Sequence, residues 1–169
     1  MALKKIEFQD LGVNVFEIFS KRCPLLLAGD KESSNLMTIG WGGLGTLWSQ
    51  PVCTVYVRPQ RYTYQFMEQK DTFSVAVLGE EYASQIAYCG KNSGRDGDKA
   101  EACGFTLDYG VEDTPLIAQA EMVFVCRKLY AQDMKPECFL DEQPRQRYYA
   151  QDDYHRVYVG RVEEVYVKE

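Results

Sequence analysis

The sequence is short of the residues from which many enzyme centres are built. It contains one histidine, His155, so a zinc site with the usual Cys/His spacing is close to excluded. No Gly-x-Ser-x-Gly turn is present to carry a hydrolase nucleophile beside that histidine. The six cysteines (Cys23, Cys53, Cys89, Cys103, Cys126, Cys138) form no C-x-x-C pair. Most lie inside apolar runs, as free core thiols do, and no disulfide framework is expected. No apolar run approaches the ~20 residues that span a bilayer. The Met1–Glu7 segment lacks the apolar core of a signal peptide, so no membrane association and a cytoplasmic location are expected. A net charge of −6 and a pI near 4.9, with no basic stripe, argue against nucleic acid as a partner. Internal repeats and low-complexity tracts are missing too.

The most informative absence is local. The chain holds 25 acids in 169 residues, yet none lies between Glu32 and Glu68, where about five would fall at the average density. The only charges in that window are Arg58 and Arg61. Two buried strands would explain missing acids. They do not explain a polar set, Asn35, Thr38, Arg58 and Thr63, at strand ends and a helix start. The pattern suits a site for an anion.

The remaining composition is that of an ordinary globular protein large enough to bury a core, with 46% hydrophobic and 26% charged residues. Aromatics at 13%, twelve of them Tyr, lean towards β structure. Strands are expected at Cys23–Gly29, 36–41, 52–58, Thr72–Leu78 and, two-sided, Glu121–Tyr130. A last strand from about Tyr154 to Val167 shifts its apolar frame near Gly160, which indicates a bulge. Tyr62–Glu68 and Glu80–Tyr88 read as short helices, the second stopped at Cys89-Gly90. Residues 98–103 read as another. Residues 12–20 fit either a short helix or a strand, and Pro136–Pro144 breaks regular structure. The fold class expected is mainly β, a β-barrel with short helices.

Gly40-Trp41-Gly42-Gly43-Leu44-Gly45 matches the dinucleotide-binding glycine string, but Pro51 and a strand follow where a helix is required, and the acid expected downstream is missing. A loop between strands is the expectation instead. Arg58 with Tyr62 and Thr63 fits either a phosphate cradle at a helix N-terminus or a solvated strand end. The Lys91–Lys99 loop, with Lys91, Ser93, Arg95 and Lys99, fits a second wall of that cradle or a plain surface turn. His155 reads as the cap of the last strand or a substrate contact, and Trp41 and Trp48 as core residues.

Asn35-x-Met37-Thr38-x-x-Trp41, Ser49-x-Pro51, Val57-Arg58-Pro59-x-Arg61-Tyr62 and Thr63 followed by Thr72-Phe73-Ser74-Val75 resemble the flavin reductase-like, FMN-binding split-barrel family, nearest its flavoredoxin-type members. Cys89-Gly90-Lys91-x-Ser93-Gly94-Arg95-Asp96-x-Asp98-Lys99 and His155-x-x-Tyr158-x-Gly160-x-Val162 agree, and the resemblance extends from about Cys23 to Val167. Gln50-Pro51 stands where the family often has two prolines, and Ala76 where it often has Asn. The chain also ends soon after its last strand, where a C-terminal extension can help hold a nicotinamide.

The resemblance implies one FMN-binding split-barrel domain over residues 1–169. It further implies a six-stranded barrel that forms a homodimer, with FMN near the dimer interface and NAD(P)H as a possible donor. It places Asn35, Met37, Thr38 and Ser49 at the flavin, Arg58, Tyr62, Thr63 and Tyr64 at phosphate and ribityl, and Lys91, Ser93 and Lys99 closing the site. Thr38 would stand near the reactive ring edge and His155 near an incoming donor. Three functions fit: an NAD(P)H-dependent flavin reductase, an electron carrier of flavoredoxin type served by a redox partner protein, and a non-enzymatic FMN-binding module.

Overall fold

A computed structural model describes residues 3–169. Ten strands alternate with short helices. The strands are β1 (Leu3–Ile6), β2 (Leu25–Gly29), β3 (Ser34–Thr38), β4 (Gly42–Leu47), β5 (Gln50–Val57), β6 (Thr72–Val77), β7 (Leu107–Tyr109), β8 (Pro115–Ile117), β9 (Met122–Asp133) and β10 (Arg156–Lys168). The α-helices are α1 (Val15–Glu17), α2 (Tyr62–Gln69), α3 (Ala83–Lys91), α4 (Lys99–Ala102) and α5 (Glu142–Tyr148). Ile18–Arg22 continues α1 as a wider helical turn, which settles residues 12–20 as mainly helical. Among the described residues no helix is long and apolar enough to cross a membrane.

Eight antiparallel strands form one sheet in the order β3-β2-β6-β9-β10-β5-β4, with β1 added to the far end of β10. The fold is mainly β with short helices, as expected, but the path does not close and holds eight strands, which corrects the expected barrel of six. β10 is long enough to take two partners on one side. β5 pairs with its first half and β1 with its last four residues.

The central strands read as unbroken apolar runs because they are buried on both faces. In β2, Leu26 and Ala28 face one apolar cluster with Phe73, Val75, Phe124 and Tyr158. Leu25 and Leu27 face a second, with Ala76, Val123, Val125 and Phe105. The two-sided reading of Glu121–Tyr130 holds for the same reason.

Several local expectations shift. The glycine-rich stretch after Gly40 is not a loop: Gly42–Leu47 is β4, paired with β5 through a two-residue turn at Trp48-Ser49. Both turn residues are left-handed (φ 51° and 57°) without being glycine, a conformation that hairpin geometry imposes. Helix α3 runs through Cys89-Gly90 to Lys91 rather than stopping there, and α5 begins inside Pro136–Pro144, capped by Asp141.

The frame shift in the last strand is a true register change. Irregularities fall between Val159 and Gly160 and between Val162 and Glu164 against β9. A Cβ on Gly160 would sit 2.6 Å from the Phe73 ring, so the bulge needs glycine to let that ring fill the core. Gly160→Ala should therefore cost about 1–3 kcal/mol through overpacking, read as a lower urea midpoint with an unchanged denaturant slope. A variant as stable as the wild type would show that the ring moves aside freely.

Candidate functional site

Five segments meet at one side of the sheet: the end of β3, the end of β5, the start of α2, the α3–α4 loop, and the start of β10. Pro59 ends β5, and the turn that follows is closed by the Arg61 amide donating to the Arg58 carbonyl (3.0 Å). Arg61 is the N-cap of α2, and its side chain does not cap the helix. The half-buried guanidinium reaches instead towards the Gly90 carbonyl of α3. Thr63, the second residue of the helix, is buried, and its hydroxyl accepts a hydrogen bond from the Asn35 amide (2.8 Å), which ties α2 to β3. The α3–α4 loop closes onto this pair. A Cβ on Gly94 would lie 2.1 Å from Asn35 Oδ1, so only glycine permits that approach.

Together these residues enclose a cleft of about 240 Å³ lined by Arg61, Lys91, Arg95 and Lys99 with Asn35, Tyr62, Thr63 and Ser93, and by no carboxylate. Lys99 is only 4% exposed. Its ammonium donates to the Cys89 and Asn92 carbonyls (3.2 and 3.3 Å). Among the described residues neither Lys99 nor Arg61 makes an ion pair, and burial pushes the pKa of both below the usual range. Arg61 has a weak contact to the Gly90 carbonyl (3.4 Å). Arg95 stacks over the Tyr62 ring at 4.9 Å. A concave set of cations whose partners are backbone carbonyls and an aromatic ring suits a phosphate or carboxylate.

Arg61 also borders a second cleft of about 230 Å³, lined by Met37, Thr38, Trp41, Tyr56, Arg58 and His155 among others. This end is less cationic. The Arg58 guanidinium is ion-paired with Asp153, donates to the Tyr148 carbonyl (2.9 Å), and lies 5.2 Å from the Tyr149 ring centroid. His155 is buried, hydrogen-bonded through Nδ1 to the Tyr149 hydroxyl (2.7 Å), and packed at 5.0 Å from Trp41. Burial, and then the Arg58 charge, push its pKa down from 6.5 to about 4, so the ring is neutral at pH 7. Thr38 donates its hydroxyl proton to the Ile86 carbonyl (2.5 Å). It also lines a third and larger space of about 800 Å³ between β3, α3 and the 17–23 turn, which shares Gly90 and Lys91 with the cation cleft. The three spaces thus form one groove around Thr38, Arg61 and Lys91. No group of three or more potential metal ligands occurs among the described residues.

Of the residues singled out from sequence, Asn35, Met37, Thr38, Arg58, Tyr62, Thr63, Lys91, Ser93, Lys99 and His155 line this groove. Two do not. Ser49 sits at the exposed β4–β5 turn. Tyr64 points to the far side of α2, where Glu68, Arg156 and Asp133 influence its hydroxyl. Nor are the tryptophans core residues: Trp41 is 42% and Trp48 56% exposed, and Trp41 forms a groove wall. Tyr56 has no signal in the sequence, Arg95 stands there as part of a loop that fits a wall or a plain surface turn, and Arg61 only as one of two charges in the acid-free window. Only the fold shows that Arg58 has an acid partner and that, among the described residues, Arg61 has none.

A family model described as a flavin reductase like domain matches residues 19–169. Comparison with curated protein sequences found no match. Among solved structures the chain is similar to a flavoredoxin from Methanosarcina acetivorans, with 25% identity and a TM-score of 0.71 over 97% of this chain and 77% of that one. It is similar to an FMN-binding protein from Thermus thermophilus, with 19% identity and a TM-score of 0.69 over 98% and 82%. An NADH:FAD oxidoreductase from Streptomyces globisporus shares 17% identity and a TM-score of 0.66 over 87% and 76%.

The buried neutral His155 makes a pH prediction. Its folded pKa lies below its unfolded one, so the stability it contributes is complete above pH 6.5 and is lost as pH falls towards about 4. The loss should reach at most about 3 kcal/mol. Urea unfolding of wild type and His155→Gln between pH 4 and pH 7 isolates the term as the difference in slope. Parallel curves would mean that the imidazole charges in place without cost.

Proposed function

The chain belongs to the flavin reductase-like family, and from that premise we propose that it is an FMN-binding flavoprotein acting as an NAD(P)H-dependent flavin reductase. The observation that carries the reading is the groove. Its acid-free end presents Arg61, Lys91, Arg95, Lys99 and the start of α2, a donor set that fits a phosphate dianion. Its other end is lined by Met37, Thr38, Trp41, Tyr56 and a neutral His155, which suits a flat, weakly charged ring.

In this reading Arg61, Lys91, Ser93 and Lys99 hold the phosphate, with the Tyr62 and Thr63 amides behind them. Asn35 and Thr63 fix the ribityl side, and Met37 and Thr38 line the ring. Bound flavin supplies the hydride-accepting centre, so the protein needs neither a triad nor a metal and contributes placement and electrostatics. Arg58 serves the ring end rather than the phosphate, because Asp153 already offsets its charge. His155 stands beside an incoming nicotinamide as a neutral hydrogen-bonding group held by Tyr149. A flavoredoxin-type carrier, reduced by a protein partner, is the second reading. The similarity to the Methanosarcina acetivorans flavoredoxin favours it. We place the protein in the cytoplasm, as a homodimer that covers exposed apolar side chains such as Leu47 and Trp48 of the β4–β5 hairpin.

The test is a visible spectrum of the protein after incubation with FMN and desalting, followed by anaerobic NADH and then NADPH. Retained flavin that bleaches establishes the reductase and names its donor. Retained flavin that bleaches only with a reduced ferredoxin supports the carrier, and no retained flavin removes FMN as a resident group. In the same assay Arg61→Ala should weaken FMN binding by ~1.5–3 kcal/mol, roughly ten- to hundred-fold, and riboflavin binding far less. Equal losses for both ligands would remove Arg61 from the phosphate. Sedimentation at micromolar concentration should give twice the 19.4 kDa chain mass, and a monomer there would defeat the dimer.

A further inference from the structure

The groove wall that bears most of the cations has a cysteine at each end. Cys89 lies in α3, fully buried, and Cys103 is the half-buried C-cap of α4. Fourteen positions apart in sequence, their sulfurs stand 3.6 Å from each other. That separation is about 1.5 Å more than a disulfide bond, within reach of a side-chain rotation at the more accessible Cys103. Between the two cysteines in the chain lie Lys91, Ser93, Arg95 and Lys99. The buried Lys99 ammonium, bonded to the Cys89 carbonyl (3.2 Å), ties α4 to α3 between the two sulfurs' elements.

We propose that Cys89 and Cys103 are a redox-active pair that closes into a reversible disulfide and clamps the cation-bearing wall of the groove. The oxidant is a small disulfide of the glutathione class. The Cys103 thiolate attacks it, one sulfur–sulfur bond breaks as the Cys103 mixed disulfide forms, and one small thiolate leaves and takes up a proton. Cys89 then loses its proton and attacks the Cys103 sulfur, and the second small thiolate leaves and takes up a proton. Two protein thiols are oxidised while one small disulfide becomes two thiols.

Cys103 is the entry point because it is the partly exposed member. Cys89 is the resolving thiol. Burial, and then the Cys103 contact, push its pKa up to about 12, so the closing step governs the rate and quickens as pH rises. None of the other four cysteines has this combination. Cys53 and Cys126 are both sealed in the core, Cys23 is half-buried elsewhere, and Cys138 is exposed. The assignment is independent of the flavin reading, since it concerns only thiols and the wall they flank.

The experiment uses the full chain with Cys138→Ser, which removes intermolecular coupling. The protein is incubated with glutathione disulfide at pH 8, alkylated and digested. The expected result is a Cys89–Cys103 cross-linked peptide lighter by two hydrogens, reversed by dithiothreitol and lost in Cys89→Ser. In Cys103→Ser the small disulfide should be taken up at neither position. Amide exchange across residues 91–99 should slow on oxidation, a readout that needs no bound ligand. Should Cys103→Ser fold poorly, Cys103→Ala serves as the second variant. Recovery of both cysteines alkylated, or of Cys103 held as a stable mixed disulfide that never resolves, would overturn the proposal.

Discussion

Two cations kept away from counter-ions shape this molecule's functional face. Lys99 is almost wholly buried and Arg61 half-buried, and among the described residues neither has a carboxylate within ion-pair distance. Removing such charges from water costs several kcal/mol each unless something offsets it. Backbone carbonyls at the C-terminal end of α3, those of Cys89, Gly90 and Asn92, provide a partial answer for both. The sheet supplies the rest of the stability, because β2, β6 and β9 are buried on both faces. An arriving anion gains from cations that are already desolvated and held in place, which is the condition for tight electrostatic recognition.

The neighbouring charges show that the arrangement is selective. Arg127 is clasped by Glu112 and Glu163, Arg22 by Glu121, Lys70 by Asp30, and Arg58, three residues before Arg61, by Asp153. The groove is therefore polarised along its length. Its cationic end lies at the start of α2, and its nearly neutral end lies against Trp41, Tyr56 and His155. The Tyr149 hydroxyl bonds the imidazole and the Tyr149 ring lies against Arg58. Burial keeps the imidazole end neutral, while the cation cleft keeps a net positive charge because no acid lines it.

The two ends also differ in how firmly they are held. The neutral wall stands mainly on strand ends, whereas the charged wall is a loop anchored by the Gly94–Asn35 approach and by helices at its two margins. Cys89 and Cys103 flank that wall, and both pack on the apolar cluster beneath it.

Local patterning carried much of this into view before any fold was known. Unbroken apolar runs marked β2, β6 and β9, a frame shift marked the bulge at Gly160, and the acid-free window with its polar set marked the groove. The cations of the Lys91–Lys99 loop were legible, but whether the loop walls a site or is a plain surface turn was not. β4 was hidden because its glycines mimic a loop and its strand character comes only from pairing with β5. The open sheet was hidden because nothing in β3 or β4 shows whether its outer edge finds a partner. Which arginine is free, and that Tyr64 and Ser49 point elsewhere, were hidden for a related reason. The sequence by itself determined where charge is scarce and where apolar surface recurs, since those are properties of neighbours along the chain. Only the tertiary structure decided which cations stay unpaired, because Asp153 meets Arg58 across 95 residues, and a contact at that separation leaves no trace in local order.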